Sequence, residues 1–189
     1  GNGPYGATVE CIDWSMAALL AELRRLGLDK DTLVIFTSDN GSKAINGGSN
    51  DPLRGHKGTT WEGGQRVPCI AWWPGMIGPG EIVGDIVHET DLFTTFAALG
   101  GATQYIPADR IIDGVDQRSL FLNGDTHSRR DYVMIYQGPN LAAAVKGRFK
   151  RDWANALVGL SGAEFYDLYT DPREEHGEMI EQFQVKSMF

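Results

Sequence analysis

The chain has 189 residues, a hydrophobic content of 42% and a formal net charge of −8 at pH 7. That acidity excludes the basic stripe on which nucleic-acid binding depends, and it weighs against a polyanionic substrate unless local charge departs from the total. No apolar run approaches the length of a transmembrane helix, so no membrane partner is expected. Two cysteines, Cys11 and Cys69, give no disulfide framework, and their apolar surroundings read as those of small buried hydrophobes.

Gly1 to Gly6 is a polar lead-in containing glycine and proline. Apolar residues then recur at Val9, Ile12, Met16, Leu19, Leu20, Leu23 and Leu26, the spacing of one helical face. Arg24 and Arg25 fall in the last turn and Gly27 follows as the C-terminal stop. Asp29 to Asp31 turns the chain into Leu33–Val34–Ile35–Phe36, a continuous apolar run that reads as a strand buried on both faces. A helix leading into such a strand is half of a βαβ unit, the preceding strand being absent from the chain.

The strand ends in Ser38-Asp39-Asn40-Gly41. Ligands in α/β sheets bind beyond the carboxyl ends of strands, and a carboxylate beside an amide carbonyl offers hard oxygen ligands suited to Ca²⁺ or Mg²⁺. An Asp-Asn-Gly turn that binds nothing is the plainer alternative. Ser42 to Asp51 is an aperiodic loop, facing either substrate or solvent. Leu53 to Pro68 reads LRGHKGTTWEGGQRVP, where Lys57 offers a point positive charge suited to an oxyanion. His56 is a weaker substrate-binding candidate, Trp61 and Glu62 read as support, and Arg66 is free to pair with Glu62 or Asp39 or to face water.

SDNG followed by L-R-G-x-K-G-T-x-W-E-G-G-x-R-V-P resembles the sulfatase family, which hydrolyses sulfate esters. The resemblance implies that Asp39 and Asn40 are ligands of the catalytic metal, normally calcium with Mg²⁺ less favoured, and that Lys57 contacts the sulfate. His56 and Gln65 occupy variable slots of the pattern. The fold implied is α/β, part of an alkaline-phosphatase-like sandwich over residues 1–125, followed by a small antiparallel sheet with a truncated terminal helix over residues 126–189.

Downstream, Pro68 to Pro74 reads as a second short strand and Ile82 to Val87 as extended chain. Thr90 to Leu99 reads as a helix with Thr90 as N-cap, Asp91 in its first turn and Gly100 beyond its end. Asp91 is expected to act as a structural cap rather than an acid. Thr103 to Leu122 is irregular, and Asn123-Gly124-Asp125 signals a turn. Tyr132–Tyr136, Leu141–Val145, Gly147–Trp153 and Glu164–Tyr169 then read as an antiparallel meander. Glu164 to Glu175, EFYDLYTDPREE, is similar to the family's usual ending, and Glu178 to Met188 reads as the start of a helix.

The family's nucleophile is a formylglycine made within C/S-x-P-x-R, and neither Cys11 nor Cys69 stands in that motif. Formylglycine and the remaining metal ligands are therefore expected upstream of Gly1. On this reading the chain alone is inactive and needs that missing part, or self-association, as partner. A phosphatase or phosphodiesterase of the same superfamily, or an inert fragment or binding module, remain the alternatives. The substrate is expected to be a small-molecule or carbohydrate sulfate ester, and the compartment is left open.

Overall fold

The computed structural model describes residues 3–123, 127–154 and 163–177. Helix α1 (Gly3–Arg25) begins inside the stretch expected to be a lead-in, so that Pro4 to Gly6 is already part of it. It stops where expected. Leu28 N donates to Leu23 O and Gly27 N to Arg24 O, with Gly27 at φ +68°, a left-handed closure suited to glycine.

Strand β1 (Val34–Thr37) pairs antiparallel with β2 (Cys69–Trp72), in a register that sets Val34 opposite Trp72 and Thr37 opposite Cys69. The expectation that β1 is buried on both faces is corrected: its residues are half-buried, Phe36 is exposed and Ile70 on β2 is 60% exposed. Among the described residues these two strands form a sheet of their own, and no further strand flanks them. Both cysteines are also exposed, against expectation. Cys11 lies on the open surface of α1, and Cys69 lies on β2, where the sheet leaves it uncovered.

A four-residue helix, α2 (Glu62–Gln65), lies in the glycine-rich segment between these strands. The stretch from Ile82 to Val87 forms no strand. Helix α3 (Glu89–Leu99) starts one residue earlier than expected, with His88 rather than Thr90 as N-cap. The His88 ring nitrogen accepts from Thr90 N at 3.3 Å, while the Asp91 carboxylate reaches back to His88 N at 2.9 Å. Helix α4 (Arg118–Asn123) falls in the region read as irregular.

Strands β3 (Tyr132–Gln137), β4 (Asn140–Lys146), β5 (Phe149–Asp152) and β6 (Glu164–Asp167) form an antiparallel sheet in sequential order, the meander that the alternation predicts. Its buried cluster comprises Ile135, Ala143, Val145, Tyr166 and Leu168, with Trp61, Ile86 and Val133 packed against it. The principal apolar core among the described residues therefore lies on this sheet, and Trp61 docks the glycine-rich segment onto it. The turn expected at Gly124 and Asp125 and the helix expected at Glu178 to Met188 lie outside the described residues.

Candidate functional site

Asp39 and Asn40 lie just past the carboxyl end of β1. The Ser38 hydroxyl donates to the Asn40 carbonyl at 3.0 Å, and Asn40 Nδ2 donates to Gly41 O at 3.2 Å, leaving the amide oxygen as an acceptor. Asp39 is exposed, and among the described residues its carboxylate makes no hydrogen bond or ion pair. The same holds for the exposed ammonium of Lys57. Opposite charges of this kind, displayed singly on adjoining loops, are available to a ligand.

Backbone contacts join those two loops. Lys57 N donates to Ser42 O at 3.1 Å, and Gly41 N donates to Gly64 O at 3.1 Å. A Cβ placed on Gly41 would lie 1.8 Å from Gly63 O, so only glycine allows this approach. Asn50 completes the clasp. Its amide oxygen accepts from Ser42 N at 2.7 Å, and its amide nitrogen donates to Ser42 O at 3.1 Å and Gly55 O at 3.0 Å. His56 is exposed, with Nδ1 2.9 Å from the Lys57 carbonyl, a contact that braces the backbone carrying Lys57.

Behind the loops lies a set of buried charges that alternation does not reveal. Lys150 on β5 has 0% exposure, with Nζ 2.6 Å from Glu174 Oε1, 3.2 Å from Glu62 Oε1 and 2.5 Å from the Thr60 carbonyl. Glu174, equally buried, accepts from Glu62 N at 2.7 Å through Oε2, and its own carbonyl accepts from Arg54 Nη1 at 2.6 Å. The Thr60 hydroxyl donates to Asp152 Oδ2 at 2.6 Å. Burial pushes the Glu174 carboxyl above its ordinary range, and the neighbouring Lys150 ammonium only partly offsets it. Glu62 is thus committed to Lys150, and Arg66 makes no ion pair among the described residues.

Trp61 and Glu62 act as support, as their place in the motif suggests. The Trp61 ring meets Tyr166 edge-on, with centroids 5.7 Å apart, and the Arg54 guanidinium sits 3.8 Å above its other face. Asp91 is fully buried and structural. Burial works to raise its carboxyl, but hydrogen bonds from Arg130 and from the His88 and Val115 amides outweigh that and hold it below the usual carboxylate range.

Among the described residues, no cluster of three or more His, Cys, Asp or Glu side chains is placed to hold a metal. Asp39 and Asn40 offer two oxygen donors, fewer than the six to eight that calcium takes. No helix among the described residues is long and apolar enough to cross a membrane.

Comparison with known proteins bears on the same stretch. The sequence signature of the Sulfatase family matches residues 3–102. N-acetylgalactosamine-6-sulfatase of Mus musculus is 38% identical over 192 residues, covering 94% of this chain and 36% of its own length. Steryl-sulfatase of Rattus norvegicus is 42% identical over 150 residues, covering 75% of this chain and 26% of its own. Among solved structures, the PsFucS1 sulfatase from Pseudoalteromonas sp. superposes with a TM-score of 0.79 at 30% identity, covering 91% of this chain and 39% of that one. Ps i-CgsB, in complex with k-i-k-neocarrahexaose, gives 0.80 at 26% identity, covering 95% of this chain and 39% of that one. The chain thus spans about a third of the curated N-acetylgalactosamine-6-sulfatase it matches. With that signature running through α1, the SDNG turn, the glycine-rich segment and α3, the chain belongs to the sulfatase family.

Proposed function

We propose that the chain supplies the cation-binding and sulfate-binding side of a sulfuric ester hydrolase. On this reading the protein to which it belongs hydrolyses sulfate esters of carbohydrates or other small molecules. The observation that carries the proposal is the pair of uncommitted charges, Asp39 and Lys57, on loops joined by the Gly41–Gly64 and Ser42–Lys57 backbone bonds.

Asp39 and Asn40 hold part of a Ca²⁺ shell, the Asn amide providing a neutral oxygen beside the carboxylate. When bound, the cation acts as a Lewis acid that neutralises charge on sulfate oxygens. Lys57 adds its ammonium to the same oxyanion, lowering the cost of charge that builds there. His56 Nδ1 is engaged by the Lys57 carbonyl, which leaves Nε2 to contact the ester's organic part. The formylglycine nucleophile that the family implies lies outside these residues, since no C/S-x-P-x-R motif occurs in the sequence.

A carbohydrate substrate draws support from the N-acetylgalactosamine-6-sulfatase relatives and from the neighbour bound to neocarrahexaose. A phosphate-ester activity is less favoured, because Asn40 offers oxygen where imidazole would favour zinc. The test is hydrolysis of matched aryl sulfate and aryl phosphate by the full-length protein, with and without calcium. Sulfate turnover that falls by about a hundredfold or more in Asp39→Ala and in Lys57→Ala is expected. Preferred phosphate turnover, or Asp39→Ala at full sulfate activity, would sink the proposal.

A further inference from the structure

Lys150 lies beneath the site, buried at the centre of the four-stranded sheet and paired in register with Val145 on β4 and Tyr166 on β6. Burying an ammonium between two carboxylates is a poor way to gain stability, because desolvation offsets most of the attraction, and apolar side chains would serve as well. What such a cluster provides is direction. Its partners are held by ion pairs at 2.6 and 3.2 Å and a hydrogen bond to the Thr60 carbonyl.

Besides the Lys150–Glu174 pair itself, the cluster grips one short stretch of chain. Lys150 Nζ holds the Thr60 carbonyl and the Glu62 carboxylate, Asp152 holds the Thr60 hydroxyl, and Glu174 holds the Glu62 amide. Only two residues separate Thr60 from Lys57, and two separate Gly64, which bonds to Gly41, from Trp61. A shift of Thr60–Gly64 therefore moves Lys57 and the SDNG turn relative to each other.

We propose that Lys150 is a positioning residue for the sulfate site: from the sheet it fixes Thr60–Gly64, and so sets where Lys57 stands relative to Asp39 and Asn40. This rests on the function proposed above, in that Lys57 is taken as the anion-binding group.

The test uses the full-length protein and two readouts. The first is a double-mutant cycle of Lys150→Met and Lys57→Ala on kcat/KM for an aryl sulfate. If Lys150 acts through Lys57, the two losses are strongly non-additive: Lys150→Met alone costs about tenfold or more, and costs little further once Lys57 is gone. Independent, additive losses would overturn the proposal, because a general loss of stability has no reason to depend on Lys57. The second readout needs no activity. Without substrate, tryptic cutting after Lys57, measured against cutting after Arg110, is expected to quicken several-fold in Lys150→Met. Unchanged cutting would overturn the proposal.

Should Lys150→Met fail to fold, Glu62→Gln, which keeps the shape of the side chain and removes the charge that Lys150 holds on this stretch, takes its place in both assays. Lys150→Met/Glu174→Gln, which removes opposite charges together but restores neither the Thr60 nor the Glu62 contact, is expected to stay as impaired as Lys150→Met, and full recovery of activity would overturn the proposal. A wild-type protein without sulfatase activity whose Lys150→Met variant is still cut faster at Lys57 would refute the function proposed above while leaving the positioning intact.

Discussion

The two sheets of this chain invert the usual order of inside and outside. In the four-stranded sheet, Lys150 and Asp152 have 0% exposure. In the two-stranded sheet, Ile70 is 60% exposed, and on the neighbouring α1 Trp14 is 70% exposed. Buried charge is tolerated only with partners, and here they come from the glycine-rich segment and the stretch after β6: Glu62, the Thr60 carbonyl and hydroxyl, and Glu174. The β1–β2 ribbon, which carries the candidate cation ligands, finds no such cover among the described residues. The candidate ligands thus sit at the end of the poorly covered sheet, and what steadies their neighbourhood comes from the well-packed one.

That contrast can be broken most severely at Lys150. Replacing it with Met leaves Glu62 and Glu174 buried without their cation, and a loss of about 3–5 kcal/mol in urea unfolding is expected. A loss under 1 kcal/mol would mean that the cluster is wetter than its burial implies. Gly41→Ala attacks the junction of the two regions. Its new methyl meets Gly63 O at 1.8 Å, so a loss of about 3 kcal/mol is expected, accompanied by weakened calcium dependence of activity. An unchanged midpoint would show that the loops part easily.

Trp61→Ala sharpens the comparison by removing the apolar dock and sparing the charges. It deletes the edge-on contact with Tyr166 and the stack under Arg54, for about 2–3 kcal/mol, since the ring is only half-buried. A pH measurement probes the buried charge at Asp91. Its carboxyl titrates lower in the folded chain than in the unfolded one, so its contribution to stability is complete above the unfolded value near 4 and fades as the pH drops through the folded value. Asp91→Asn should therefore flatten the acid limb of a stability–pH curve. A limb as steep as wild type would assign it to other carboxylates.

Much of this architecture is legible in the sequence, and the misreadings share a cause. The helix ending at Gly27 and the four-strand meander follow from local periodicity and turn chemistry, which neighbours do not alter. The exposure of β1, Cys11 and Cys69 does not follow from it, because an apolar run states a need for cover without showing whether cover is present. The alternation Phe149-Lys150-Arg151-Asp152 looks like a strand with polar residues facing water, yet Lys150 and Asp152 are the buried members. Their partner Glu174 stands at the end of the EFYDLYTDPREE stretch, and Thr60 lies ninety residues upstream of Lys150. Only folding reveals that pairing. At the site, Asp39, Asn40 and Lys57 are legible through motif chemistry, whereas Asn50, which clasps Ser42 and Gly55, carries no sequence signal beyond its loop.

The bare backbone contact between positions 41 and 63 has a practical consequence for redesign. Because atomic radii rather than side-chain identity set the gap there, neither loop has slack with which to absorb a bulkier neighbour. Redesign of the loops around the candidate site should leave both glycines alone and vary Lys43 to Ser49. That span meets solvent along most of its length and makes no side-chain bond to the glycine-rich segment, so it can be rewritten without disturbing the seam.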